Sequence, residues 1–473
     1  VLRQRLPKSS SFKKKRFLFS VTPQQNFLGH PRGLAYLVFA ESWERFSYYG
    51  MQALLVLYMS QYLLLPGHIS HVALFDPFRH AIESAYGKLS PAALASVIFG
   101  FYAGGVYLTP LAGGLLADRL LGRTRTVTIG ALLMALGHFL MAFEASFLLA
   151  LTFLLVGVGC FKGNIATQVG ELYPPGDTRR ADAFQIYQLG IAIAVIFSPL
   201  VCGTLGEKVA WHWGFGAAGI GMLAGLAVYL SGLRYLPPER PRGHGRPRAH
   251  LAPGEGRTVL VLIALLPAMV LAMLGNQQIF NAYIVWGDAN YDLQLFGQAM
   301  PVTWLVSLDA VLSTVVAAGV ILGWRRYERR FQPVTEITKL IIGTFIMAAA
   351  SATLALASLY EARTGHKIGL AWALPFHLLN SIGFVNLFPV GLALFSRAAP
   401  HAIAGLMLGV FYTHLFVTNM LVGYLGSLLE TTPPIHFWLL QAGLITAGGC
   451  LMLGFRAAFG HLLAPLVDLE AAV

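Results

Sequence analysis

Twelve apolar stretches, each close to the length of helix that crosses a bilayer, run through this chain of 473 residues. A hydrocarbon core of about 30 Å needs about 20 residues of α-helix. The stretches lie near 33–62, 93–118, 125–143, 147–171, 182–204 and 212–234, then near 258–287, 302–323, 337–359, 370–396, 403–428 and 436–457. A transmembrane barrel would instead show short segments of alternating polarity. Only 11% of the residues are charged, against about 25% in a globule that faces water, so most of the surface is expected to face lipid. Gly104, Gly105, Pro110, Pro199, Pro267 and Pro389 fall inside the stretches, as bundled membrane helices tolerate. The fold class read from this pattern is an all-α integral membrane protein with 12 transmembrane helices.

Basic residues orient it. With the N-terminus in the cytoplasm, 26 Lys and Arg lie inside, 5 outside and 2 (Arg45, Lys162) within spans. That bias places both termini in the cytoplasm. The net charge of +12 then reflects topology and contact with anionic lipid rather than nucleic acid. Residues 1–32, with the cluster Lys13, Lys14, Lys15 and Arg16, read as a basic tail without the apolar region of a signal peptide. The Pro-, Gly- and Arg-rich stretch 237–257 divides the helices six and six. The expected plan is a tail (1–32), a six-helix bundle (33–236), a linker (237–257), a second bundle (258–457) and a C-terminal tail (458–473). The longest external loop, 63–91, has room for a short helix. Cys160, Cys202 and Cys450 all fall in spans, where packing is their expected role.

Helix 1 carries E-S-W-E-R-F-S-Y-Y-G over residues 41–50. Glu41, Glu44 and Arg45 share one helical face, about ten residues into the membrane. Charges at that depth need a partner or a water-filled cavity. Two acids around one arginine leave one carboxylate in excess, poised to take up and release a proton. A static ion cluster is the plain alternative. Helix 4 adds Lys162, the only lysine in any span, and Glu41 or Glu44 is its expected partner. Protonating that glutamate would free the ammonium to hold a substrate carboxylate.

Helix 2 ends in G-G-L-L-A-D-R-L-L-G-R-T-R, residues 113–125. Gly113 and Gly114 permit close helix contact, and Asp118 can pair with Arg119 or Arg123. This segment resembles the loop between helices 2 and 3 of the major facilitator superfamily, whose members have two six-helix bundles. Helix 1, the G-G-L-L-A-D-R-L-L-G run, F-K-G-N-I with V-G-E-L-Y, W-H-W-G-F-G at 211–216 and G-L-M-L-G-V-F at 405–411 together resemble the proton-dependent oligopeptide transporter (POT/PTR) family. The resemblance implies import of di- and tripeptides, or of other anions and metabolites, driven by protons. By position it implies proton coupling through Glu41, Glu44, Arg45 and Lys162, an aromatic pocket of Tyr48, Tyr49 and Tyr102, and further substrate contacts at Asn164 and Trp304. Many bacterial members carry two extra helices between the halves, for which the linker here is too short.

The chain also departs from the family. Gln52 stands where members often carry an arginine, and Asn276 and Gln277 stand where helix 7 would carry its acidic partner. Both charges of that ion pair are absent together, which avoids stranding one of them. Asp309, in W-L-V-S-L-D-A-V-L of helix 8, replaces a usual asparagine and is the only acid well inside a span of the second half. With no Lys or Arg at its depth, it is expected to bind a proton as a second coupling site in the external gate, or to anchor the substrate amine. Ala192 replaces an asparagine in helix 5. Phe384 replaces the helix 10 glutamate that holds a peptide's amino group, leaving Asn380 and Asn386 as neutral contacts. His138, His377 and His414 are expected to be hydrogen-bonded interior residues.

The reading is a twelve-span major facilitator transporter of the plasma or inner membrane, working by alternating access. Protons are the coupling ion, small peptides the cargo, lipid the surroundings; no cofactor is implied, and the protein is expected to be a monomer. A non-peptide anion or metabolite is the alternative cargo, and a non-transporting sensor or scaffold the alternative class. No metal-ligand spacing or nucleophile–base set suggests an enzyme.

Overall fold

The computed structural model describes residues 27–174, 176–239, 251 and 254–463. The basic cluster Lys13–Arg16, most of the linker and residues 464–473 of the C-terminal tail lie outside the described residues.

Twelve helical spans form among the described residues. Span 1 is Arg32–Tyr58, prolonged by a π-turn at Met59–Leu63, and a short helix, Phe75–Tyr86, follows in the loop. Spans 2, 3 and 4 are Pro91–Leu116, Arg123–Leu140 and Phe147–Glu171. Span 5 runs from Arg179–Ser198 through Pro199–Gly203 to Thr204–Lys208, and span 6 is Trp211–Ser231. Span 7 is broken into Glu255–Ala272, Leu274–Gln277, Gln278–Phe280 and Ala282–Asn290. Spans 8 to 12 are Trp304–Glu328, Glu336–Thr364, Ala373–Ala398, Ala404–Gly426 and Pro434–Phe459. Ten helices among the described residues are long and apolar enough to cross a membrane. The remaining two are span 1, which carries Glu41, Glu44 and Arg45, and span 3, which opens on Arg123 and Arg125.

Local chemistry sets several ends. Ser90 caps span 2 by accepting from the Ala93 N–H at 3.1 Å, with Pro91 in the first turn. Gly122, at φ +81°, turns the chain between spans 2 and 3 in a conformation that favours glycine. Gly113 has no room for a Cβ, which would fall onto the Gly159 carbonyl, so spans 2 and 4 touch through their backbones as small-residue interfaces allow.

The packing repeats with a shift of six. In the first half span 1 packs on 5 and 6, span 2 on 4, and span 3 on 4 and 6; in the second half span 7 packs on 11 and 12, span 8 on 10, and span 9 on 10 and 12. The halves meet where span 2 packs on 11 and span 8 on 5, again a pair related by the same shift. This is the two-bundle arrangement with parallel pseudo-symmetry that puts a solute path between the halves. The face carrying the helix ends nearest the chain termini is called proximal below, and the opposite face distal.

Candidate functional site

Span 1 turns its charged face into the first bundle. Glu41 is 2% exposed, Glu44 0% and Arg45 3%. The i, i+3, i+4 spacing lets one guanidinium reach both acids: Arg45 Nε lies 3.1 Å from Glu41 Oε1 and 2.5 Å from Glu44 Oε2. Tyr48 places its ring 5.4 Å from the Arg45 guanidinium, within the range of cation–π attraction. Tyr187 of span 5 adjoins Glu41, and Tyr49 adjoins Arg45.

Lys162 departs from expectation. It lies within electrostatic reach of Glu44 and Glu41 but forms no ion pair with either among the described residues. Its ammonium stands 4.9 Å from the centre of the Tyr107 ring. The reason is local: Arg45 sits on the same helix as both acids and reaches them without help from span 4.

The aromatic positions gather around this charge set. Tyr48 and Tyr102 are buried, and the rings of Tyr48 and Tyr49 meet edge to face at 5.1 Å. Tyr49 also faces Phe280 of span 7 at 6.0 Å, so it touches both halves. The Tyr102 hydroxyl is buried with no hydrogen-bond partner, a polar atom free for something else. Asn164 lies elsewhere. Its amide donates to the carbonyls of Cys160 (2.8 Å) and Gly113 (3.3 Å), which makes it a packing residue of spans 2 and 4.

In the second half, span 7 breaks at Asn281, with φ −125° and ψ −106°, where a single helix had been expected. Gln277 beside the break accepts from the Asn419 amide of span 11 at 3.1 Å. Buried Gln52 leaves its Oε1 unpaired. Asp309 is not alone: its Oδ1 lies 2.9 Å from His377 Nδ1 and accepts from the Asn380 amide at 3.3 Å. His377 is fully buried, and its Nε2 lies 2.8 Å from the Tyr283 hydroxyl. Spans 8, 10 and 7 thus contribute one chain of polar groups, Asp309, His377 and Tyr283. Ring packing closes around it, with Tyr283 stacked on Phe376 at 4.6 Å and edge-on to Tyr291 at 6.3 Å. Phe384 stacks on Phe388 at 5.6 Å. Asn386 is occupied, accepting from Trp324 Nε1 at 2.8 Å. His414 reaches the Phe411 carbonyl, whereas both ring nitrogens of buried His138 lack partners. Cys160 and Cys202 are buried as expected, but Cys450 is exposed on the helix surface.

Among the described residues, the hydrogen bonds that join the halves cluster at the distal ends. Gln61 donates to Asp288 at 2.8 Å, and Ser90 to Glu430. Trp304 Nε1 donates to Thr204 at 2.9 Å, so Trp304 belongs to this closure rather than to the pocket. Glu207, which the sequence analysis passed over, accepts from the backbone N–H groups of Val302 (2.9 Å) and Thr303 (3.1 Å) and from the Thr303 hydroxyl (2.5 Å). A carboxylate from span 5 therefore caps the N-terminus of span 8 across the interface, where it meets free N–H donors and the positive end of the helix dipole. Glu207→Gln is expected to cost about 1.5 kcal/mol of closure, the loss of a charged hydrogen bond, or about tenfold. Hydrogen exchange at Val302 and Thr303 measures it; unchanged protection there would exclude Glu207 as a latch.

Proximally, the motif between spans 2 and 3 folds into an ion network: Arg123 pairs with Asp118 at 3.3 Å and with Glu171 of span 4, and the Thr124 N–H donates to Glu239 at 3.1 Å.

A profile described as POT family matches residues 124–249 and 255–439. The peptide transporter YePEPT of Yersinia enterocolitica is 29% identical over 85% of this chain and 89% of its own. A di-/tripeptide transporter of Lactococcus lactis subsp. cremoris is 28% identical over 88% of this chain and 93% of its own. Among solved structures, a peptide transporter POT in complex with sulfate superposes with a TM-score of 0.77 at 24% identity, over 93% of this chain and 97% of that one. A POT family transporter in complex with 5-aminolevulinic acid gives 0.77 at 22%, over 93% and 99%.

Proposed function

Since this chain belongs to the POT family and is therefore a multi-pass membrane transporter rather than an enzyme, we propose that it imports di- and tripeptides together with protons by alternating access. The observation that carries the reading is the buried set Glu41, Glu44 and Arg45 beside a half-buried Lys162 that forms no ion pair among the described residues. Glu41, Glu44, Arg45 and Lys162, all ionised, sum to zero. Adding one proton to a glutamate leaves the set at +1, and a substrate carboxylate arriving at Lys162 restores zero. In a low-dielectric site a net charge is costly, so proton and peptide favour each other's entry. Lys162, with its ammonium over the Tyr107 ring, is the carboxylate anchor. Tyr48, Tyr49 and Tyr102 wall the pocket on one side, and Gln277, Asn380 and Phe384 on the other.

Asp309 with His377 forms the second proton site. A carboxylate and an imidazole sharing one proton have no net charge whichever of them holds it, so the pair can lose and regain that proton without either group standing alone. The termini face the cytoplasm, and the distal closure then shuts the path from outside. The protein works as a monomer in the plasma or inner membrane. Reconstituted uptake of a peptide library under an imposed pH gradient tests the reading: dialanine and its relatives are expected to accumulate only when the outside is acidic. Accumulation that ignores the gradient would reject proton coupling.

A second reading changes the cargo to a non-peptide anion or metabolite. It is favoured by Phe384 lying against Phe388 where an amine-binding acid would be, and the same library, failing to compete with uptake, would support it.

A further inference from the structure

Away from the solute path, the distal surface of the first half gathers His68, His71 and Glu144 so that one ligand atom from each lies within 4.8 Å of the others. His68 precedes and His71 ends the single turn Ile69–His71 after span 1, and Glu144 opens the turn Glu144–Ser146 between spans 3 and 4. Each imidazole aims Nδ1 at a different carboxylate oxygen, both at 2.7 Å. The two segments are held in register independently of these side chains, because the Ala73 N–H donates to the Ala145 carbonyl at 3.2 Å. Tyr62 adds support: its ring lies 4.1 Å from the His68 ring, and its hydroxyl adjoins Glu144.

We propose that His68, His71 and Glu144 bind one divalent transition-metal ion of the zinc type. Two imidazoles and one carboxylate form the three-ligand set typical of open zinc sites, with bonds of about 2.0–2.2 Å and a fourth position for water. Tetrahedral angles at those lengths separate ligand atoms by about 3.3 Å, so each 2.7 Å contact has to widen by about half an ångström, while a pair standing at the 4.8 Å limit has to close by about 1.5 Å. The fourth position faces solvent, since the His71 side chain is 64% exposed while Glu144 is 20%. Imidazole ligands favour zinc, cobalt, nickel or copper over magnesium and calcium. Tyr62, oriented on the carboxylate, acts as the outer partner that fixes a ligand's orientation. An ion at this point would cross-link the segment after span 1 to the turn between spans 3 and 4. The next residue back from Tyr62 is Gln61, which reaches Asp288 of the other half.

The test is calorimetric titration of untagged, full-length protein in detergent with zinc chloride near neutral pH. One saturable site per chain is expected. His71→Ala and Glu144→Gln should each weaken it by about tenfold or more, the scale seen when a metal site loses a supporting group. His366→Ala, an exposed distal histidine outside the cluster, should leave it unchanged. Binding should also fade in acid, because protons compete with the metal for the ligand nitrogens. Metal-free melting temperatures matching the parent protein show that the variants fold. Absence of saturable binding by the parent, or binding that survives both substitutions, overturns the site. The measurement requires no transport, so its outcome is independent of the proposed function.

Discussion

Lys162→Gln is expected to weaken binding of dipeptides with a free carboxylate by about 30- to 1,000-fold, or about 2–4 kcal/mol, the penalty of leaving one member of a desolvated charge pair without the other. The parent protein offers an ammonium that no acid among the described residues holds closely, standing over Tyr107. With glutamine there, Glu41, Glu44 and Arg45 carry one excess negative charge, which a permanently held proton neutralises. The variant therefore has no cation for the peptide and no free proton exchange. Two comparisons identify this cause. Affinity for C-terminally amidated dipeptides, weaker in the parent, should be nearly unchanged, and the pH dependence of uptake should flatten. Equal losses for the acid and amide forms would refute the carboxylate role. Glu44→Gln separates the other half of the mechanism: gradient-driven accumulation should cease while exchange across equal pH persists. Accumulation at the parental level would remove Glu44 from the coupling.

The spans and their grouping were legible because lipid imposes one rule on every residue that meets it. Each stretch read as a span has become one, and the loop 63–91 does carry the short helix Phe75–Tyr86. The charged face of span 1 was equally legible, since residues 41, 44 and 45 lie on one side of any α-helix. What failed depended on how separate helices are rotated against each other. Lys162 was assigned a glutamate from the inventory of charges, but Arg45 already reaches both acids from the same helix. Asp309 has no Lys or Arg at its depth, but its basic partner is a histidine from another helix: His377, on span 10, faces it at 2.9 Å. Glu207 was passed over since nothing near it in the chain marks the first turn of span 8 as its target. The break in span 7 had a local signal, the polar run G-N-Q-Q-I-F-N ahead of Ala282, which an apolarity average conceals.

Asp309→Asn and His377→Gln should each reduce gradient-driven uptake by about 10- to 100-fold, and the double variant should be no worse than either alone. Removing His377 takes away the base that shares a proton with Asp309 and leaves the carboxylate with the Asn380 amide. Removing Asp309 takes the carboxylate from His377 Nδ1 and leaves the Tyr283 hydroxyl on Nε2. Either change deletes the same shared proton, so the effects cannot add; residues acting independently would multiply their losses. The sign on pH follows. Uptake by the parent should rise as the outer medium becomes more acidic, through two proton-binding steps, and each variant should retain only the step that belongs to span 1. Tyr283→Phe removes one hydrogen bond to His377 but no proton-binding group, so its loss should stay near about fivefold, equivalent to about 1 kcal/mol, with the pH profile preserved. A double-mutant cycle on uptake rates, repeated across outer pH, reads all three effects. Additive losses for Asp309 and His377 would break the pair into separate residues. A change confined to affinity for peptides with a free amino group would instead make Asp309 the amine anchor and leave span 1 as the sole site of proton coupling.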